Sequence, residues 1–190
     1  MIFEEVKRIL NLIRASGTEI NGTLELNNIM SEFYPNKMTM LKEEISIENN
    51  YSLFGNWTSR QLLEKNHYWF LTASIIHKIG EVQYFHKQET LTSRKFIIFS
   101  NDCISAIQFI SRPEQNLLNI FIRSSDVLNL LCSDYLFGCK LLNNICEEFH
   151  IKNNINDKVT FFTTSSHFYL KDKEIVDKIL GNKNLKDFIK

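Results

Sequence analysis

The chain has 190 residues, of which 44% are hydrophobic, and its 22 basic residues balance 22 acidic residues. A chain of this length can bury a substantial core, and zero net charge argues against a general nucleic-acid binder, which carries a basic excess. The N-terminus lacks the positive region of a signal peptide, and no apolar run approaches the roughly 20 residues of a membrane span. We therefore expect one cytoplasmic domain over residues 1-190, with neither nucleic acid nor membrane as a partner.

The first half of the chain carries two helical patterns. Apolar residues at i, i+3, i+4 and i+7 predict an amphipathic helix over residues 2–15. Thr58-x-x-Gln61 is a capping-box pattern, which begins either one long helix to about Gln88 or two helices divided near Asn66. The Tyr68-Trp69-Phe70 run is interpreted as helix packing and not as a stacking platform. The other predicted elements of this half are strands over 23–26 and 44–47 and a turn near Pro35-Asn36.

The second half is richer in strands. Asp134 to Glu148 is apolar on most faces, which predicts a central helix. The tract from Arg112 to Asn116 has turn residues and separates two strand patterns. The other predicted elements are strands over 94–100, 105–110, 117–123, 159–163 and 167–170 and a helix over 172–180. Together these elements predict an α+β fold in which one mixed sheet is flanked by helices.

The four cysteines lack the C-x-x-C spacing of a zinc site, so we predict no metal. Cys132, Cys139 and Cys146 step by seven residues along the predicted central helix, which indicates one stripe facing the core. Cys103 lies in a different, apolar segment. Because cysteine is among the most frequently buried residues, an inert core thiol is one interpretation of Cys103.

The most informative pattern is an ordered set of polar residues at fixed spacing. Gln108-Phe109 begins five residues after Cys103, and an Arg-Ser-Ser-Asp motif begins at Arg123, fifteen residues after Gln108. Asp134 follows eleven residues later. With His167-Phe168-Tyr169 and Ser93-Arg94-Lys95, this set resembles the nucleotide-binding core of the thymidylate synthase and cytidylate hydroxymethylase family. The resemblance implies a thymidylate synthase-like single domain whose motif-bearing core spans residues 93–170.

The resemblance also implies a chemistry. In that family a cysteine, here Cys103, adds to C6 of a pyrimidine nucleotide, so that C5 becomes nucleophilic enough to attack a one-carbon donor. The implied donor cofactor is 5,10-methylenetetrahydrofolate, and the implied assembly is a homodimer. The implied substrate-binding residues are Arg123 and Ser124 at the phosphate, Arg94 and Lys95 reaching the phosphate from the partner subunit, His167 and Tyr169 at the sugar, and Gln108, Asp126 and Asp134.

Asp134 carries the prediction of base specificity. Members that act on uracil have asparagine at this position, whereas members that act on cytidylates have aspartate. An ionised carboxylate only accepts hydrogen bonds, and cytosine presents a donor at its exocyclic N4. The predicted partner is therefore (d)CMP in preference to dUMP. Asp134 also follows Ser133 at the predicted helix start, so a helix N-cap is the alternative interpretation.

Two hypotheses about function stay open at this point. One is a pyrimidine-nucleotide C5 one-carbon transferase that resembles (d)CMP hydroxymethylase. The other is a catalytically degenerate protein of the same fold that binds nucleotide or serves as a dimeric scaffold, because Leu130 replaces a glycine that leaves room for the folate. A homodimer through the flat face of the sheet is expected in either case from apolar strand residues, which are Phe96, Ile98, Ile107, Phe109, Leu118 and Ile120.

Overall fold

The computed structural model describes residues 2–35, 58–85 and 94–181, which form six strands and four α-helices. The strands make one sheet in the order β1-β2-β6-β5-β4-β3, in which β5 and β6 are parallel and the other neighbours are antiparallel. The predicted α+β class and mixed sheet are thus confirmed. In chain order the elements are α1 (Ile2–Ser16), β1 (Thr18–Ile20), β2 (Thr23–Phe33), α2 (Thr58–Phe85), β3 (Ile97–Phe99), β4 (Ile104–Arg112), β5 (Gln115–Asp126), α3 (Leu131–Glu148), β6 (Lys158–Tyr169) and α4 (Lys173–Gly181).

The helices follow the sequence patterns closely. The apolar stripe of α1 is buried, and the helix ends where Gly17 N donates to Ile13 O at 2.7 Å. The second pattern forms one continuous helix without a break at Asn66. None of the helices in the described ranges is long and apolar enough to cross a membrane. The predicted strand over 44–47 and Asn36 of the predicted turn lie outside the described residues.

One long strand replaces the two short strands that were predicted near the end of the chain. β6 runs for 12 residues without interruption, so the prediction of separate strands over 159–163 and 167–170 was wrong. The intervening Thr164-Ser165-Ser166 tract is polar, which suggested a loop. Because β6 is an interior strand, Ser165 and Ser166 of this tract instead pair with β2 on one side and β5 on the other.

Helices cover one face of the sheet, and this face contains the core. Ile107, Ile120 and Phe161 lie side by side on β4, β5 and β6, and all three are fully buried. Helix α3 approaches closely at Gly138, where an added Cβ would overlap Phe161 and lie 2.8 Å from Ile120 Cδ1. The apolar residues that motivated the expected dimer interface belong to this core or pack against it, so they do not form an exposed face.

The opposite face of the sheet, here called the open face, is not covered by any described helix. One row of residues crosses five strands on this face: Phe99, Ala106, Phe121, Phe162 and Met30. Phe99 is 78% exposed and Met30 is 54% exposed. The rings of Phe121 and Phe162 stack at 5.0 Å near the centre of the row. An apolar band therefore remains accessible within one chain.

A line of strand irregularities, here called the bulge line, crosses the sheet beside this row. In β2, β5 and β6 two consecutive residues at this line are at least partly exposed, which breaks the alternation of buried and exposed side chains, while the pairing registers of these strands continue unchanged across the line. The register of β4 with β5 shifts between Ile104 and Ala106, and Asn28 of β2 has a positive φ of 60°. Bulges bend strands and re-aim the side chains that follow. The two consecutive residues at this line are Asn27-Asn28 in β2, Ser105-Ala106 in β4, Arg123-Ser124 in β5 and Thr164-Ser165 in β6.

Candidate functional site

The carboxyl ends of the two parallel strands create the edge where most predicted site residues meet. Ser124, Ser125 and Asp126 of β5 pair with Ser165, Ser166 and His167 of β6. Helix α3 begins a few residues beyond β5, and the start of antiparallel β4 lies at the same edge. Loops and helix ends at the carboxyl edge of parallel strands are a common location for ligand sites.

Asp126 shapes the connection from β5 to α3. Its Oδ1 accepts from Asn129 N at 3.2 Å, and its Oδ2 accepts from Asn129 Nδ2 at 2.7 Å. Val127 N donates to His167 O at 2.8 Å and links the turn to β6. Since both carboxylate oxygens of this buried residue are already bound, Asp126 positions the neighbouring residues.

Asp134 belongs to a polar cluster on the helix side of the sheet, together with Tyr68 and Ser125. Tyr68 OH donates to Asp134 Oδ1 at 2.7 Å, and Ser125 Oγ donates to Oδ2 at 3.4 Å. The helix begins at Leu131, and its N-cap is Leu130, which makes no side-chain capping bond. The N-cap interpretation of Asp134 was therefore wrong, because the helix starts before the residue at which it was predicted to start. Asp134 is buried, with 6% of the residue exposed.

A second polar cluster lies on the open side of the same strands. Ser124 Oγ and His167 Nδ1 are 3.5 Å apart, and the His167 and Tyr169 rings meet edge to face at 5.6 Å. Arg123, which forms the bulge of β5 with Ser124, is exposed beside them. Ser124 and Ser125 are neighbours in the sequence, and their side chains thus lie on opposite sides of β5. A ligand that contacts both clusters must lie across the edge of the sheet.

Cys103 lies at this edge, directly before β4. Its carbonyl oxygen accepts from Arg123 N at 2.7 Å, which fixes the two residues on adjacent strands. Its side chain is exposed, so the interpretation as an inert core thiol was wrong. Cys139 and Cys146, by contrast, are buried in α3 as the seven-residue spacing predicted. Burial raises the pKa of the Cys146 thiol to about 12.

Three predicted residues lie away from the edge within one chain. Gln108 is five residues along β4 from Cys103, which corresponds to about 17 Å of strand. Gln108 Nε2 donates to Arg94 O at 3.2 Å, and Gln108 Oε1 accepts from Asn119 Nδ2 at 3.3 Å. Arg94 and Lys95 are exposed at that distance from the edge. The resemblance assigns these two basic residues to the phosphate site of a partner subunit. Their distance from Arg123 within one chain is compatible with that assignment.

Sequence reasoning missed three polar residues of the site. Tyr68 was interpreted as helix packing, but only its ring packs, whereas Trp69 and Phe70 are 72% and 62% exposed. Ser125 was not predicted as a site residue, although it directly follows Ser124 and consecutive residues of a strand place their side chains on opposite faces of the sheet. Ser166, which pairs with Ser125, has a buried Oγ without a hydrogen-bond partner among the described residues. A polar tract in an interior strand was the available signal for Ser166.

Comparison with known proteins gives no family assignment. No protein-family model matches the chain, and no curated protein matches it either.

Proposed function

We propose that the protein binds a cytidylate across the carboxyl edge of β5 and β6 and activates C5 of the base through Cys103. This is the function that the resemblance to the thymidylate synthase and cytidylate hydroxymethylase family implies, on a thymidylate synthase-like domain. The observation that carries the proposal is the convergence at one edge of residues that lie far apart in the sequence. These residues are Cys103, Arg123, Ser124, Asp134, His167 and Tyr169.

The two clusters suit the two ends of a nucleotide. Arg123 presents a planar guanidinium with several donors, which matches a phosphate, and the Ser124 hydroxyl adds a further donor beside it. His167 and Tyr169 lie two residues apart on the same side of β6, within reach of a sugar hydroxyl. Asp134 would meet the base from the helix side.

The proposed activation uses the exposed thiol. The thiolate of Cys103 donates an electron pair to C6, and the π pair of the C5–C6 bond moves to C5. C5 then takes up an electrophile, the hydrogen on C5 leaves as a proton, and elimination of the thiolate restores the double bond. Arg123, whose backbone is bonded to that of Cys103, supplies positive charge on the adjacent strand.

One residue argues against a reduced folate as the donor. Leu130 stands where the resemblance expects a glycine, and it lies half-buried directly before the first turn of α3, next to the Asp134 cluster. Its isobutyl group would occupy the space that, by the resemblance, the glycine leaves for the folate. We therefore derive no step through that cofactor.

A second candidate function is a nucleotide-binding or scaffold protein without C5 chemistry. Leu130 favours it, because a nucleotide site that lacks room for a donor binds without transfer. The apolar row of the open face also favours it, since an accessible band of this kind is suited to assembly. Both candidates share the nucleotide site and differ only in what Cys103 does.

Calorimetric titration with CMP, dCMP, UMP and dUMP tests the shared site. We expect the cytosine nucleotides to bind about ten- to a hundredfold more tightly, because the Asp134 carboxylate accepts from N4 of cytosine but repels O4 of uracil. Asp134→Asn should abolish or reverse this preference. Arg123→Ala is the control, and it should weaken all four nucleotides alike, by roughly 2–4 kcal/mol. Equal affinity for both bases, or no binding of any, would overturn the proposal.

A further inference from the structure

A lysine extends the polar cluster on the open side beyond the end of β6. Lys171 follows Tyr169 by two residues, and its Nζ lies over the Tyr169 ring, 5.2 Å from the ring centroid. The Tyr169 ring meets the His167 ring edge to face, and His167 Nδ1 lies 3.5 Å from Ser124 Oγ. Because cation–π attraction holds an ammonium over the face of a tyrosine ring, Lys171 belongs to one row of contacting side chains that begins at Ser124.

Lys171 and Arg123 are the two cations of this part of the edge. Both are exposed, and neither forms an ion pair with a carboxylate in the part of the chain that the structure describes. Asp172 directly follows Lys171 in the sequence, and Glu25 is in register with His167 on β2, but neither of these carboxylates pairs with Lys171 or Arg123. A cation that has no carboxylate partner is available to an anionic ligand.

The order of contacts along the row suits a nucleotide with two phosphates. Ser124 contacts His167 at one end of the row, and Lys171 contacts Tyr169 at the other. From His167 to Tyr169 the strand advances about 7 Å, which is close to the separation of two phosphates on a single nucleotide. A phosphate on the sugar hydroxyl that these two residues contact would therefore lie near the Lys171 ammonium.

We propose that Lys171 binds a second phosphate of the ligand, so that the site takes a nucleoside 3′,5′-bisphosphate. This inference rests on the proposed function, because it assumes that Arg123 and Ser124 hold the 5′-phosphate and that the sugar lies against His167 and Tyr169. A lysine ammonium presents three donors and a compact charge, which suit the oxygens of a phosphate monoester. The contact would not have to replace an ion pair, since Lys171 has none with a described residue.

Calorimetric titration with dCMP and with deoxycytidine 3′,5′-bisphosphate tests this inference, because dCMP has only one free sugar hydroxyl. We expect the bisphosphate to bind about three- to tenfold more tightly than dCMP. Lys171→Met should bring the ratio of the two affinities close to one, whereas Lys171→Arg should keep it, since arginine retains the charge. Lys173→Met is the matched control and should keep the full ratio, because Lys173 is also exposed but its Nζ lies 3.0 Å from Asp177 Oδ2.

The outcomes separate this inference from the proposed function. If wild type binds dCMP and gains nothing from the second phosphate, the inference is wrong and the proposed nucleotide site stands. If the gain is present but Lys171→Met keeps it, the second phosphate lies elsewhere and the inference is also wrong. If wild type binds neither nucleotide, the proposed function and the inference fall together.

Discussion

The cysteines show how position decides the chemistry of one residue type. Cys146 is buried in α3, and burial together with the nearby Asp157 and Glu147 carboxylates raises the pKa of its thiol to about 12. Cys103 is exposed at a strand start, with Arg123 on the next strand. A thiolate is the nucleophilic form of cysteine, so the exposed residue is the one suited to addition chemistry.

Hydrogen exchange at C5 distinguishes the two candidate functions without a one-carbon donor. If the Cys103 thiolate adds to C6, C5 takes up a deuteron from D₂O, and elimination after loss of the original proton leaves 5-deuterated CMP. We expect the H5 proton signal of CMP to decay when the protein is present, and Cys103→Ser to stop the decay while CMP still binds. Proton NMR in D₂O measures both.

The contrary result is equally clear. Persistent H5 signal in the presence of wild-type protein that binds CMP would show that the site binds without activating the base. That outcome would favour the nucleotide-binding or scaffold function.

Individual site residues could be predicted to the extent that their spacing along the chain was informative. The spacing from Cys103 through Gln108 to Arg123 supported a resemblance that implied positive charge near the cysteine, and the backbones of Cys103 and Arg123 are hydrogen-bonded. Spacing does not reveal which side of a strand a residue faces once a bulge intervenes. The division of Ser124 and Ser125 between two faces, and the contact of Tyr68 with Asp134, depend on tertiary packing that no local pattern encodes.

At the scale of elements, a chain of hydrogen bonds ties α1 and α3 to β2. Arg8 donates twice to the Glu5 carboxylate, at 2.6 and 2.7 Å, and Ser31 Oγ donates to Glu5 Oε1 at 2.6 Å. Tyr135 OH then donates to Ser31 Oγ at 2.8 Å. Burial raises the pKa of the Tyr135 phenol, which keeps it a donor at neutral pH. Glu5 is thus the acceptor on which three elements converge.

The Glu5 carboxylate gives the fold a specific dependence on acid. Burial alone would raise the pKa of Glu5, but hydrogen bonds from Arg8 and Ser31 outweigh it and hold the pKa below the ordinary value of 4.5. A group whose pKa is lower in the folded state stabilises the fold above its unfolded pKa, and that contribution is lost as pH falls below it. We expect Glu5→Gln to lower the free energy of unfolding by about 1 kcal/mol at neutral pH, because the group is partly exposed.

Urea unfolding at neutral pH and at about pH 3.5 measures this dependence. The difference between wild type and Glu5→Gln should shrink at the lower pH, because the unfolded chain takes up a proton at Glu5 more readily than the folded protein does. Glu4→Gln is the control, since Glu4 is exposed on the same turn. A difference that stays constant with pH would show that Glu5 contributes through packing and not through its charge.

Helices were easier to predict than strands in this chain, and the reason is visible in β6. The apolar stripe of α1 is a local sequence signal, because the helix packs this stripe against the sheet whichever strands lie beneath it. The Thr164-Ser165-Ser166 tract has no strand signal of its own, and it is extended because two neighbouring strands pair with it. The short strand β1, which forms a hairpin through Asn21-Gly22, was missed because its three residues are exposed.

At the scale of the whole molecule, the most informative feature is the open face, which no described helix covers. Its row of apolar side chains spans five strands, with stacked Phe121 and Phe162 at the centre. Polar side chains border this row, because Glu32 lies in the next row and Lys158 in the row beyond it, and Lys158 Nζ and Glu32 Oε1 are 2.7 Å apart. An apolar centre beside paired charges is the composition of many interfaces between identical chains. The expected homodimer therefore stays a prediction, but with Phe121, Phe162, Met30 and Phe99 at its centre.

Light scattering at micromolar concentration tests the dimer. Wild type should have twice the mass of one chain, and Phe162→Glu should be monomeric, because the substitution places a charge in the middle of the apolar row. Ile175→Glu on α4 is the control, since Ile175 is 40% exposed, close to the 37% of Phe162, but lies away from the sheet. A monomeric wild type would contradict the prediction.

The bulge line has a consequence for how this sequence can change over evolutionary time. Beyond the line, every side chain of β2, β5 and β6 has exchanged sides, and these strands are in register with one another there. Losing one residue from a single strand at this line would remove the irregularity from that strand while its neighbours keep theirs, so the strand could keep its pairing register or the sides of its side chains, but not both. Single deletions at the line should therefore be purged by selection, while point substitutions among its exposed residues accumulate. Divergent descendants of this chain should differ widely in the amino-acid types at these positions. The number of residues between one such position and the next should hardly differ.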